Sequence, residues 1–229
     1  MLDILYEDTE LIVAVKPAGL EAQAARRFAP DMVSALKKHM VINKTSTPGR
    51  EPYVAVIHRL DKPVSGIMVY AKTKTAAAAL SLQLQRQEMK KVYEAVVCGK
   101  PLNYVDNYVD YLLKDGDKNI SRVVHKGTSG AKRAELSFTC IKCCQLEGRE
   151  LSLLKIRLKT GRHHQIRVQL AAHGLPLYGD ARYDPETFSK EQPALCACSL
   201  AFFHPKTNRQ MEFSIRPLGM IFEKIYQYE

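Results

Sequence analysis

From Leu154 to Lys159 the chain alternates without exception: Leu154, Ile156 and Leu158 are apolar, while Lys155, Arg157 and Lys159 are cationic. A period of two sends the first three to one face of a strand and the second three to the other. This segment commits the fold to a sheet with a buried side and a charged side. ILYEDTELIVAVK reads as two short strands around the acidic turn EDTE, closed by the turn PAG. SGIMVYA, KVYEAVVCG, RAELSFTCIKC and QMEFSIRP read as further strands.

Three helices punctuate them. DMVSALKKHM places apolar residues at 32, 33, 36 and 40 behind Asp31, an N-cap type. TKTAAAALSLQLQRQEMKK is rich in strong helix formers, with Thr75 as its expected cap and basic residues at its end. RHHQIRVQLAAHG sets Ile166 and Leu170 one turn apart and stops at Gly174. The expectation is an α+β fold with a mixed, largely antiparallel central sheet and flanking helices, folded as a single domain over residues 1–229.

Charge narrows the partners. Against 24 Asp and Glu stand 34 Lys and Arg, leaving +10, which favours a polyanionic partner, nucleic acid before an anionic membrane. No stretch approaches the roughly 18 uninterrupted apolar residues of a membrane helix. The N-terminal MLDILYEDTE lacks a signal peptide's basic n-region. A cytoplasmic protein without a membrane or an obligate protein partner is expected. Cys140, Cys143, Cys144, Cys196 and Cys198 fall inside apolar, strand-like runs where Cys serves as a small hydrophobe. A strand would also point residues 140 and 143 to opposite faces. No metal is expected there, nor any cofactor elsewhere.

The chemistry gathers at HRLDKPVSG, residues 58–66, where Asp61 sits among His58, Arg59 and Lys62 ahead of an apolar strand. The chain has no phosphate-binding G-x-x-x-x-G-K-[ST], no H-E-x-x-H and no dinucleotide fingerprint. His163 and His164 are adjacent, and so do not share a helix face as ligands; surface or RNA-contacting roles fit them better. A carboxylate beside cations is kept ionised for nucleophilic or base chemistry, and equally serves as a structural ion pair or turn cap. On the residues alone, Tyr93 is a strand tyrosine or a stacking platform, and Arg167 a solvated helix arginine or a partner for a carboxylate. Lys155, Arg157 and Lys159, continued by Arg162, form a phosphate track or an ordinary solvated face.

Read together, VKPAGL, HRLDKPVSG, KVYEAVVCG, TGRHHQIRVQLAAHGLPLYGD and LAFFHPKT resemble, in the same order, the RluA-type RNA pseudouridine synthases, over residues 3 to 217. The resemblance implies that Asp61 is the catalytic aspartate and that Tyr93 stacks on the flipped uracil. It implies that Arg167 pairs with the catalytic carboxylate and that Arg59 fills the gap left by the extruded nucleotide. The substrate it implies is structured RNA, ribosomal or transfer. Val64 stands where the family's motif has Thr or Ser, and Cys196 where a histidine is common. The N-terminal S4 module of many relatives is expected to be absent. Two rivals remain: a non-catalytic RNA-binding protein on the same scaffold, and a nucleosidase, which requires a second carboxylate to activate water.

Overall fold

The computed structural model of the chain describes residues 2–24, 29–45, 49–146, 148–184, 187 and 192–228. They form two compact units, Met1–Lys91 with Ala197–Arg216, and Val92–Cys196 with Pro217–Glu229. The fold is α+β, with four helices among the described residues and strand pairs that are mostly antiparallel.

In the first unit, β1 (Asp3–Glu7) and β2 (Leu11–Lys16) make the expected hairpin. Its turn is tied by Asp8, whose Oδ1 accepts from the N–H groups of Glu10 and Leu11 at 2.8 and 2.9 Å. β2 pairs with β4 (Ser65–Ala71), which also carries the short β3 (Ala55–Val56). β10 (Leu195–Phe203) lies beside β4 and pairs with β11 (Gln210–Ser214). Helix α1 (Met32–Ile42) starts where Asp31 accepts from Ser34 N, as its sequence requires.

Helix α2 (Lys74–Gln85) is capped two residues before the expected position. Thr73, not Thr75, accepts from Ala76 N at 3.1 Å, and its hydroxyl also reaches Glu10. The helix ends at Gln85, and Gln87 turns the chain at φ 59°. Its basic tail, Lys90 and Lys91, therefore opens β5 (Lys90–Cys98) instead. Leu11, Val13, Ile67, Val69 and Ala71 pack one face of this sheet against Ala76 and Leu80 of α2. Ile12, Ala14, Met68 and Tyr70 are buried on the other face. Strands β2 and β4 are thus apolar on both sides, which is why their sequences run rather than alternate.

In the second unit the strand order is β5, β9 (Arg149–Leu158), β8 (Lys132–Leu146), β6 (Val105–Asp115), β7 (Ile120–Val124), each pairing antiparallel. β6 and β7 are additions to the strands read from sequence. Polar and charged residues interrupt both segments, and only Leu112 and Ser121 in them are buried. Pairing with β8 and with each other holds them. Helix α3 (Gln165–Ala172) is the predicted one, while α4 (Met220–Gln227) follows the strand expected to close the chain. At eight residues α4 is too short to stand on propensity, and burial of Ile221, Phe222 and Ile225 fixes it. Among the described residues, no helix is long and apolar enough to cross a membrane.

Candidate active site

The 58–66 loop belongs to the first unit and is built from below. Lys16, the last residue of β2, lies directly across from Gly66 in the β2–β4 register. Its side chain is 0% exposed. The Nζ donates to the carbonyls of Pro17, Leu20 and Lys62 at 2.9, 2.7 and 3.1 Å. The Lys62 carbonyl also accepts from Gly19 N at 2.8 Å, and Val64 N closes a turn on the Asp61 carbonyl at 3.0 Å. Gly66 is obligatory: φ is +135°, and a Cβ there would lie 2.5 Å from both the N and O of Ala197.

Asp61 is half-buried on this base, and Arg59 and Lys62 are exposed. His58 does not contribute charge. It is buried, and burial, helped by the nearby charge of Lys91, pulls its pKa down to about 3. Its Nε2 accepts from Val69 N at 3.4 Å, the role of a neutral imidazole. The buried cation that the charge of Asp61 acts on comes from the VKPAGL segment. Burial pulls the Lys16 pKa down to about 8, and the charge of Asp61 pushes against that fall. Sequence reading placed the cations beside Asp61 at His58, Arg59 and Lys62 and missed Lys16. An isolated Lys before Pro at a strand end does not reveal that it will be buried.

In the second unit, Tyr93 is 6% exposed and pairs with Ile156 across β5 and β9. Arg157 pairs with Val92, and Lys155 with Glu94. Directly opposed residues share a face, so Tyr93 lies with Ile156, and Lys155 and Arg157 lie on the reverse of the sheet. The predicted alternation of β9 is therefore present, and its cationic row points away from Tyr93. Lys159 is engaged with Glu135 at 2.5 Å, and Arg162 Nε donates to the Arg133 carbonyl at 2.9 Å.

Helix α3 lies on the Tyr93 face, since its Val168 packs on Ala134 and Leu112. Its Arg167 is not a solvated arginine. It is 4% exposed, and its Nε and Nη2 donate to the two carboxylate oxygens of Asp180 at 2.7 and 2.6 Å. The guanidinium also faces the ring of Tyr183 at 5.1 Å. Tyr183 is itself fixed: its hydroxyl accepts from Ser121 N at 2.8 Å and meets His164 Nδ1 at 2.8 Å. His164 is buried and holds a left-handed φ of 53°, so it does not take the surface role expected for it. Burial, then the charges of Arg167, His163, Arg182 and Lys114, bring its pKa to about 3. A neutral ring lets Nδ1 accept from the Tyr183 hydroxyl. Asp180 was passed over in the sequence, where it closes the TGRHHQIRVQLAAHGLPLYGD segment without being singled out.

The cysteines differ from expectation. Register shifts between Cys140 and Lys142, so Ile141 is an extra residue in a β-bulge. The bulge returns Cys143 to the face of Cys140, with the two Sγ atoms 3.4 Å apart. Among the described residues, no group of three or more His, Cys, Asp or Glu is placed to hold a metal ion.

The architecture is that of solved pseudouridylate synthase domains. Human RNA pseudouridylate synthase domain containing 4 superposes with a TM-score of 0.76 over 96% of this chain and 90% of that one, at 20% identity. Human RNA pseudouridylate synthase domain containing 1 gives 0.72 over 94% and 83%, at 19% identity. The family model for RNA pseudouridylate synthase matches residues 10–172. Ribosomal large subunit pseudouridine synthase D of Zymomonas mobilis is 32% identical over 222 residues, covering 93% of this chain and 68% of that protein. The tRNA pseudouridine synthase C of Vibrio cholerae is 28% identical over 233 residues, covering 92% and 89%. The chain belongs to the RNA pseudouridylate synthase family, whose members are isomerases.

Proposed function

We propose that the protein isomerises uridine to pseudouridine in ribosomal or transfer RNA in the cytoplasm, its two units acting as one catalytic domain, with Asp61 as the catalytic carboxylate. The N1–C1′ bond breaks, the detached uracil turns, and C5 bonds to C1′ as the C5 hydrogen leaves and N1 takes a proton. Atoms and electrons balance within the substrate. The target uridine must first leave the stack. In this reading Tyr93 offers its ring to the extruded base, and Arg59, exposed on the loop, occupies the vacated space. Arg167 supplies a guanidinium whose orientation Asp180 fixes.

The observation that carries the assignment of Asp61 is that it is half-buried on a loop whose backbone is pinned from beneath by the buried Lys16 ammonium, through the carbonyl of the next residue, Lys62. Phosphate contacts fall to Arg59 and Arg162. Lys155 and Arg157, turned away from Tyr93, serve only RNA that wraps to the reverse of the sheet. Lys159 shares its charge with Glu135. Tritium release from RNA carrying uridine labelled at C5 tests the reading, together with a pseudouridine map of cellular RNA with and without the protein. Release coupled to an intact RNA chain is expected. Binding without release would leave only the non-catalytic RNA-binding reading.

A further inference from the structure

Lysine is rarely buried, because its ammonium is costly to remove from water unless every donor is met. Lys16 is fully enclosed, and its three donors meet three backbone carbonyls. Those contacts satisfy the hydrogen bonds without neutralising the charge. A packed apolar side chain of similar length fills such a site at less cost, so the charge itself needs a purpose beyond packing.

Among the described residues, Asp61 is the carboxylate whose charge bears on Lys16. Glu21 lies at the loop surface 3.8 Å from the ammonium of Lys62. Asp31 is committed to the N–H groups of Ala24 and Ser34, both at 2.7 Å. His58 is neutral, and Arg59 and Lys62 are exposed. Asp61 is the group whose charge acts on Lys16.

We propose that Lys16 is a positioning residue for Asp61: its buried ammonium pins the 58–66 loop through the Lys62 carbonyl and sets the positive charge that the carboxylate faces. This rests on the reading of Asp61 as the catalytic group. Coupling between two sites is reciprocal. If the Asp61 charge favours protonated Lys16, protonated Lys16 favours ionised Asp61 to the same extent. The positive charge is thus delivered from below, by a group that RNA phosphates cannot reach and solvent ions cannot screen, while Arg59 and Lys62 stay available to the substrate.

Two measurements test this. The first follows the Lys16 ammonium by NMR titration in the wild-type protein and in Asp61→Asn. The expected result is a titration near pH 8 in the wild type and a fall of a few tenths of a unit or more in the variant. An unchanged Lys16 titration overturns the proposal.

The second records single-turnover rate against pH for the wild type and Lys16→Met. Losing the facing charge should move the acid limb of the profile to higher pH. A uniform loss across pH, with the limb unmoved, reduces Lys16 to structural support and overturns the charge role. If Lys16→Met fails to fold, the titration in Asp61→Asn decides alone. The functional reading fails separately, through retained turnover in Asp61→Asn, whatever the titration shows.

Discussion

Arg167 and Asp180 form a two-point ion pair in which both side chains are at least 95% buried, at 2.7 and 2.6 Å. A bidentate carboxylate fixes the plane of a guanidinium as well as its place. Tyr183 against its face, held by Ser121 and His164, leaves Arg167 little rotational freedom. One edge of α3 is thereby locked to the turn at 179–183, and a charge is presented in a fixed orientation.

Removing one member strands the other. Asp180→Asn should lose about 3–5 kcal/mol of stability, the range for breaking a buried pair, read by urea unfolding. Replacing both, as Arg167→Met with Asp180→Leu, should recover most of that stability, since an apolar pair fills the same space. Turnover should stay low in the double variant. Full activity there would mean that the pair serves packing alone.

Acid should destabilise the protein through His58. Its folded-state pKa of about 3 lies below the unfolded value near 6.5. Between those values the unfolded chain binds the extra proton, so stability is complete above about pH 6.5 and declines as pH falls. At about 1.36 kcal/mol per pH unit, one such group costs about 2 kcal/mol between pH 6.5 and 5. Urea unfolding at pH 7 and 5 should show that loss in the wild type. His58→Gln, which keeps an acceptor for Val69 N, should show a smaller one. Equal losses in both proteins would place the acid sensitivity elsewhere, with His164 the next group to test.

The sequence carried the elements and the loop but not the electrostatics. Alternation and capping made β9, α1 and the β1–β2 hairpin legible, because each depends on residues within a few positions. HRLDKPVSG stood out as the candidate loop, and the structure shows why its Gly66 position takes only a glycine. The two groups that set the charges around the key side chains were not legible. Lys16 is distant from Asp61 in sequence, and Asp180 is 13 residues from Arg167; burial, a tertiary property, decides both. The same holds for Cys140 and Cys143, which strict alternation separates and one bulged residue reunites.

Salt dependence should separate the two faces of the second unit's sheet. Each phosphate neutralised on single-stranded RNA contributes about 0.7 to the log–log slope. Arg162→Ala should flatten the slope by about that amount. Arg157→Ala, whose side chain shares the reverse face with Val92 and Ser137, should leave it unchanged. A flattened slope for Arg157→Ala would show RNA wrapping onto that face.

Asp61→Asn should abolish pseudouridine formation and leave RNA binding equal or tighter. The amide preserves size and much of the hydrogen bonding, and the loop is held by backbone contacts that the substitution does not touch: Val64 N to the Asp61 carbonyl, and Lys16 and Gly19 to the Lys62 carbonyl. Folding should therefore survive. The amide cannot act as nucleophile or base, and no other acidic residue lies within HRLDKPVSG to replace it. Loss of a negative charge near phosphates relieves repulsion, which favours binding. A purely structural Asp61 predicts the reverse, with melting temperature, binding and turnover declining together because buried Lys16 loses the charge that offsets its burial. Thermal melting, RNA binding and tritium release on this one variant distinguish the two. A folded, RNA-binding Asp61→Asn protein that still turns over would remove Asp61 from the chemistry.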